Sequence, residues 1–415
     1  MKRVFAVVIA VVLARDARAS TLDLFGFGMR SPALAGTGAA TADDYESVYA
    51  NPAGLADAHT KRATVGVVVA DFRTKMDGDI VGDSGSGTVL GGVVPMPLGG
   101  WAKDRIGLGF GFHIPNDTLN RVRAPFPGVP QFALLENRSH VIAIQLAVGV
   151  KLTDRLSVGA GVIVLAALRG GIDVTTDAGG RFSADSEQRL TTQFAPVVGA
   201  RWHASPRLSY GLVVRAPVRS DYDIKVTSDL GDAIPLTLPE IRIAGNAQYD
   251  PLSVAAEAAW RWRPDLLLVG QVEYQHWSAY PLPTKNPVPA TLEQQPPGFH
   301  DRPVPRIGAE WTARTEPATM FVRAGYSFLW SPAPEMTGQQ SLLDNNRHLV
   351  GVGFGLVLTG KLPLRVDIYG QLHHLQARSH VKDPDLQQPG KLPVFDSIST
   401  SGNVLVTGAA VGIDL

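Results

Sequence analysis

The chain predicts one closed antiparallel β-barrel of 14 strands that spans a membrane, with its N-terminal segment folded inside as a plug. Three observations predict it. From Ala63 onward the sequence alternates with period two, large apolar residues on one face and small or polar residues on the other. The connections between these runs largely alternate between long and short, with an even strand count. An export signal stands at the N-terminus, and no later apolar run is long enough to cross as a helix. The division is 1–19 signal peptide, 20–60 plug, 61–415 barrel.

The signal comes first. Lys2 and Arg3 form a positive start, Val4 to Leu13 an apolar run, and Ala17-Arg18-Ala19 a small-x-small cleavage site. The run is about 10 residues, half of what a membrane helix needs. Behind it, Gly28 to Leu55 is rich in Gly and Ala and poor in bulky apolar residues, so it cannot fold alone. It closes in the compact turn Asn51-Pro52-Ala53-Gly54. Such a segment suits threading through a lumen.

Strands are expected near 63–73, 88–94, 105–114, 139–152, 155–168, 188–203, 207–217, 236–249, 265–277, 304–314, 318–330, 347–359, 363–378 and 402–415. In His140 to Leu152, for instance, Ile142, Ile144, Leu146, Val148 and Val150 share one face. Ala143, Gln145, Ala147 and Gly149 share the other. Long connections are expected at 115–138, 169–187, 218–235, 278–303, 331–346 and 379–401, short ones at 153–154, 204–206, 315–317 and 360–362. The stretch 250–264 breaks the rule, being too long for a short turn and left as turn, helix or additional strand. Closure is compulsory in lipid because no sheet edge can stay unpaired there.

Composition excludes several classes. With Cys 0 there is neither a disulfide framework nor a thiolate metal site. Lys+Arg 38 balance Asp+Glu 38, which argues against a nucleic-acid partner. Charged residues at 18% suit a wall that shows lipid apolar side chains. No catalytic set, cofactor site or metal site is expected. Gly82-Asp83-Ser84-Gly85 imitates a protease nucleophile but sits in a Gly/Ser turn with no matching His motif. His373 and His374 are adjacent in a strand and point to opposite faces. Gly351, Gly353 and Gly355 lack the strand-turn-helix setting of a dinucleotide site.

Gly36-Thr37-Gly38-Ala39-Ala40, Ala42-Asp43-Asp44 and Asn51-Pro52-Ala53-Gly54-Leu55 resemble the hatch of the FadL/TodX (OmpP1-like) family. Further echoes are Pro296-Pro297-Gly298-Phe299, Arg306-Ile307-Gly308-Ala309-Glu310-Trp311, Ala324-Gly325-Tyr326-Ser327 and Asp344-Asn345-Asn346-Arg347-His348. The final residue is Leu415, where an aromatic is common in assembly signals. The resemblance covers nearly the whole mature chain. It implies a monomeric multi-pass barrel in the outer membrane of a Gram-negative bacterium, among lipopolysaccharide, placed there by barrel-assembly machinery. It implies passive uptake of hydrophobic small molecules, fatty acids or aromatics, gated by Asn51, Pro52, Ala53 and Gly54.

Three further expectations concern sites. Phe126, Phe132, Leu134 and Leu135, with Leu342 and Leu343, could line an apolar outer groove or could pack loop on loop. Gly107, Gly109 and Gly111 form a lumen-facing row on the third strand, where the family carries a kink that releases ligand sideways. The row bends that strand and makes room for the hatch, or it is a smooth lumen surface that packs the plug, and an unbroken, fully paired third strand would remove the exit. Arg215, Glu273, Arg306, Glu310, Arg323, Arg365 and Asp367 face the lumen as a paired network anchoring the hatch, or one Arg meets a ligand carboxylate. The competing function is a structural or adhesive barrel with the hatch permanently shut.

Overall fold

The computed structural model describes residues 25–116, 129–132, 134–135, 142–176, 182–229, 240–290, 294, 296–334, 341–359, 363–381 and 397–415. The signal region and Phe126 lie outside them. The wall strands are β1 (Arg62–Met76), β2 (Gly85–Pro95), β3 (Ile106–Pro115), β4 (Ala143–Lys151), β5 (Leu156–Thr176), β6 (Phe182–Ser205) and β7 (Leu208–Arg215). They continue as β8 (Ser253–Arg263), β9 (Leu266–Gln275), β10 (Arg302–Thr315), β11 (Ala318–Leu329), β12 (Arg347–Leu358), β13 (Leu364–Val381) and β14 (Ser397–Asp414). Each pairs antiparallel with the next, and β14 pairs back onto β1 from Arg62↔Asp414 to Met76↔Thr400, so the described wall is a closed ring of 14.

One expected strand is not in that ring. Ile241–Asp250 pairs with Val218–Asp229 as a hairpin at the long-loop end, and that hairpin runs parallel to the far end of β5. Its place in the wall is taken by β8, in the stretch 250–264 that resisted assignment. The cause is compositional: Ala255 and Ala259 alternate with Ala256 and Ala258, so the two faces lack contrast. Likewise 169–187 and 218–235, expected as loops, carry strand: β5 and β6 pair on from Ala166↔Thr192 to Thr176↔Phe182.

The period-two reading decides which side chains face out. Val65, Val67 and Val69 on β1, Ile307 on β10 and Val352 on β12 are half exposed, while Val68, Ala70 and Phe72 are buried inside. Exposed apolar surface of this extent belongs against lipid. Trp202, Tyr210, Trp260, Trp262 and Trp311 stand near the short-turn end of their strands, with Trp202 and Tyr210 stacked at 5.7 Å. That is the aromatic girdle of a membrane interface. None of the described helices is long and apolar enough to cross a membrane.

The lumen is full. Segment 25–58 lies inside it as two one-turn helices, α1 (Arg30–Ala33) and α2 (Ser47–Ala50), followed by a 3-10 turn (Pro52–Asp57). Phe27, Met29, Leu34, Tyr45, Val48 and Leu55 are buried there.

Candidate functional site

The site is the interface between this hatch and the wall, together with the apolar space beyond it. The short hatch helices satisfy few of their own backbone groups, so the wall supplies partners. Glu257 on β8 accepts from the amides of Gly38 (2.6 Å), Ala39 (2.8 Å) and Ala40 (3.2 Å). Within the hatch, Glu46 gathers the amides of Met29, Arg30 and Ser31 at 2.6–2.8 Å. Arg201 on β6 donates to the carbonyls of Ala42 (2.7 Å) and Gly54 (3.2 Å), and Gln371 on β13 to that of Pro32 (2.9 Å).

Asn51 is the expected hatch residue with the clearest geometry. Its Oδ1 accepts from the Ala53 amide (3.0 Å), capping the 3-10 turn. Its Nδ2 donates to the Ala39 carbonyl (2.6 Å) and to the Ala200 carbonyl of β6 (3.0 Å). One side chain thus joins the two ends of the hatch and the wall. Pro52, Ala53 and Gly54 follow it, buried. A Cβ on Gly199 would stand 2.0 Å from Asn51 Oδ1, so the wall is side-chain-free where Asn51 docks.

All seven expected lumenal ions are paired. Arg30 of the hatch holds Glu310 through two bonds (2.8 and 2.9 Å). Glu310 also takes Arg323 (2.7 Å), Arg323 takes Asp367 (2.6 Å), and Asp367 takes Arg365 (2.5 Å). Arg365 lies 3.8 Å from hatch Asp44. A second group joins Arg215 and Arg306 to Glu273, and Arg215 also donates to the hatch carbonyls of Tyr49 and Ala50 (both 3.1 Å). At the hatch's end, burial opposes ionisation of Asp57. Arg201, Lys151 (2.8 Å) and His203 (3.2 Å) outweigh it and hold the carboxyl at about 2.

The glycine row does one of its two expected things. A Cβ on Gly107 would stand 1.9 Å from the Leu55 carbonyl oxygen, one on Gly109 2.7 Å from Leu55 and Val48, and one on Gly111 2.4 Å from the Phe27 ring. The row makes room for the hatch. It does not open the wall: β3 pairs with β2 over Gly107–Pro115 and with β4 over Ile106–His113, without a register shift. The expected gap at this row is therefore absent, because hatch packing, not strand bending, uses the missing side chains. Outside the same strands lies an apolar hollow of about 540 Å³, bordered by Leu108, Phe110, Leu146, Val148 and Val162.

Phe132, Leu134 and Leu135 line no exposed groove. All three are buried, and the strand-like contact of Gln131 with Leu342 explains it by folding their segment inward. Phe132 and Leu135 join Leu343, Phe25, Phe72, Val404 and Val406 in one apolar cluster continuous with the hatch. Leu134 and Leu342 join Tyr249, Trp277 and Phe299 in a second cluster at the long-loop end, where Trp277 and Phe299 meet edge to face at 6.3 Å. Sequence reading missed this aromatic cluster, and Glu257, Arg30 and Arg201 too. Glu257 stood on the unassigned strand, and the two arginines carry no motif of their own. Among the described residues no group of three metal-binding side chains comes together.

A closed 14-stranded ring with an apolar outer band and a polar-tied internal plug defines a plugged transmembrane β-barrel. The chain matches the family model of outer membrane protein transport proteins (OMPP1/FadL/TodX) over residues 10–410 and belongs to that family, which places it in the outer membrane. Among solved structures it is similar to a Pseudomonas aeruginosa FadL homologue, with 14% identity, 97% of this chain and 99% of that chain covered, and a TM-score of 0.62. It is also similar to the P. putida toluene transporter TodX (13%, 95% and 99%, 0.56) and to the CymD monoaromatic hydrocarbon channel (15%, 95% and 98%, 0.56). No curated protein matches it. At these identities the structural likeness carries the fold alone.

Proposed function

We propose that the protein is a passive outer-membrane channel for hydrophobic small molecules, fatty acids or aromatics, with the hatch as its gate. The observation that carries this is the contrast inside the barrel. Phe25, Phe72, Phe132, Leu135, Leu343, Val404 and Val406 make an apolar interior on the long-loop side of a plug fixed by hydrogen bonds and ion pairs. An apolar solute gains free energy of roughly 25 cal/mol per Å² on leaving water for such an interior. Passage then requires the hatch to leave its wall contacts. Lateral release at β3 is not part of the proposal, because that strand is paired on both sides without a break.

The test is uptake of labelled toluene and labelled oleate by cells with and without the gene. A rate that rises with the gene for at least one of them supports the reading. Equal rates for both would leave a structural barrel with a permanently shut hatch.

A further inference from the structure

Two polar side chains stand out on the apolar half of the lumen. His113 on β3 and Gln145 on β4 both face inward: the ladder places His113 opposite Ala143 and Gly111 opposite Gln145, so the two are diagonal neighbours. Gln145 is fully buried and His113 is 6% exposed. Yet His113 Nε2 and both amide atoms of Gln145 have no hydrogen-bond partner. Their described ladder neighbours offer none: Val89 lies across from His113, Ile163 across from Gln145, and the Phe27 ring fills the space that Gly111 leaves. Buried polar groups are nearly always satisfied, because leaving one unpaired costs its full desolvation. Other buried atoms among the described residues are unpaired too, Arg323 Nη2 and both Gln131 amide atoms among them. What sets His113 and Gln145 apart is that they are unpaired as diagonal neighbours on the apolar side of the lumen, beside Phe27 of the hatch, where something else can complete the bonding.

We propose that His113 and Gln145 read a polar group on the cargo, and that the cargo is a neutral oxygenated hydrophobe such as a phenol, aryl alcohol or long-chain alcohol. This rests on the uptake reading above and names its substrate class. The pair supplies donors and acceptors without a formal countercharge: Gln is always neutral, and the residues across the ladders (Gly87, Val89, Ala143, Ile163, Leu165) carry no charge. A hydroxyl, both donor and acceptor, reaches both once Phe27 withdraws with the hatch. A carboxylate would be buried there with no lysine or arginine across the ladders to pair it. The apolar body packs on Val89 and Ile163. A site built to bond a hydroxyl discriminates strongly against the analogue that lacks one.

The experiment compares binding of toluene, 4-methylphenol and benzoate to the purified full-length barrel in lipid nanodiscs. The proteins are wild type, Gln145→Met and the double variant His113→Leu with Gln145→Met. Wild type should bind 4-methylphenol about tenfold more tightly than toluene, a difference of about 1.4 kcal/mol, and benzoate weakest. Gln145→Met should lose part of that preference with toluene unchanged, and the double variant the rest. The wild-type comparison decides the matter even where the double variant does not assemble. Equal affinity of wild type for toluene and 4-methylphenol overturns the inference, leaving the pair to water, and keeps the uptake reading. Benzoate binding tightest overturns the neutral class. Binding of none of the three overturns the inference and leaves the uptake reading to the assay with labelled toluene and oleate.

Discussion

Replacing Asn51 by Ala should unlock the hatch without unfolding the barrel. The side chain makes one capping bond, to the Ala53 amide (3.0 Å), and two donor bonds, to the carbonyls of Ala39 (2.6 Å) and Ala200 (3.0 Å). Losing the cap costs about 1 kcal/mol, and the two donor bonds cost about 1 kcal/mol each net of solvation. The total is about 3 kcal/mol. The Ala200 carbonyl belongs to a wall strand whose ladder remains, so the loss falls on the docked hatch. At 1.4 kcal/mol per factor of ten, the released population grows by about 150-fold while it remains the minor state. The assay is leakage of a small solute from liposomes carrying wild type or Asn51→Ala at equal density. The barrel's gel mobility before and after boiling reports assembly. A leak within twofold of wild type, with the barrel assembled, would refute the role given to Asn51. Failure to assemble would make the segment part of the folding core.

Three more perturbations follow from the same contacts. Gly107→Val puts a Cβ where the Leu55 carbonyl lies (1.9 Å away), so the hatch should shift and the leak rise in an assembled barrel; an unchanged leak would mean that the wall yields instead. Arg323→Met removes the cation shared by Glu310 and Asp367 and leaves each with one partner, Arg30 and Arg365, at a cost of about 1.5–3 kcal/mol; the unfolding temperature should fall measurably, and an unshifted one would refute the network's structural weight. Leu108→Cys with Val148→Cys links register partners on the outer face of β3 and β4 in a chain with no other cysteine. With this ladder intact, uptake by the oxidised protein should match that of the reduced one, whereas uptake lost on oxidation and regained on reduction would restore a sideways exit at this seam.

Most of the wall was legible because lipid enforces period two so strictly that lumenal and outer positions can be counted off the sequence. The failure at β8 has the same cause in reverse. Where Ala stands on both faces the pattern has no contrast, and the stretch 236–249 was read as wall in place of β8, while 218–235 was read as a loop. The hatch motif Asn51-Pro52-Ala53-Gly54 was legible as a compact turn. Its partners were not, since Glu257, Arg201 and Arg215 meet it across 147 to 219 residues of chain. The loop phenylalanine and leucines were recognised as apolar, but burial depends on what folds over them. Gln131 and Leu342 pair 211 positions apart, a contact no local pattern encodes.

On the proposed reading of the hatch as a gate, the way it is held bears on the direction in which it leaves. On the side of β8 to β13 it is fixed by directional bonds: Glu257 to three amides, Glu310 to Arg30, Gln371 to Pro32. On the side of β3 the described contacts with Gly107, Gly109 and Gly111 are packing alone, through Leu55, Val48 and Phe27. Packing contacts weaken gradually with displacement, whereas a charge-assisted bond must be broken outright. The nearest charged tie on that side is Asp57 with Lys151 of β4. On the proposed reading, a hatch freed at Asn51 parts from β3 once that pair breaks, and the motion uncovers His113, Gln145 and the glycine row.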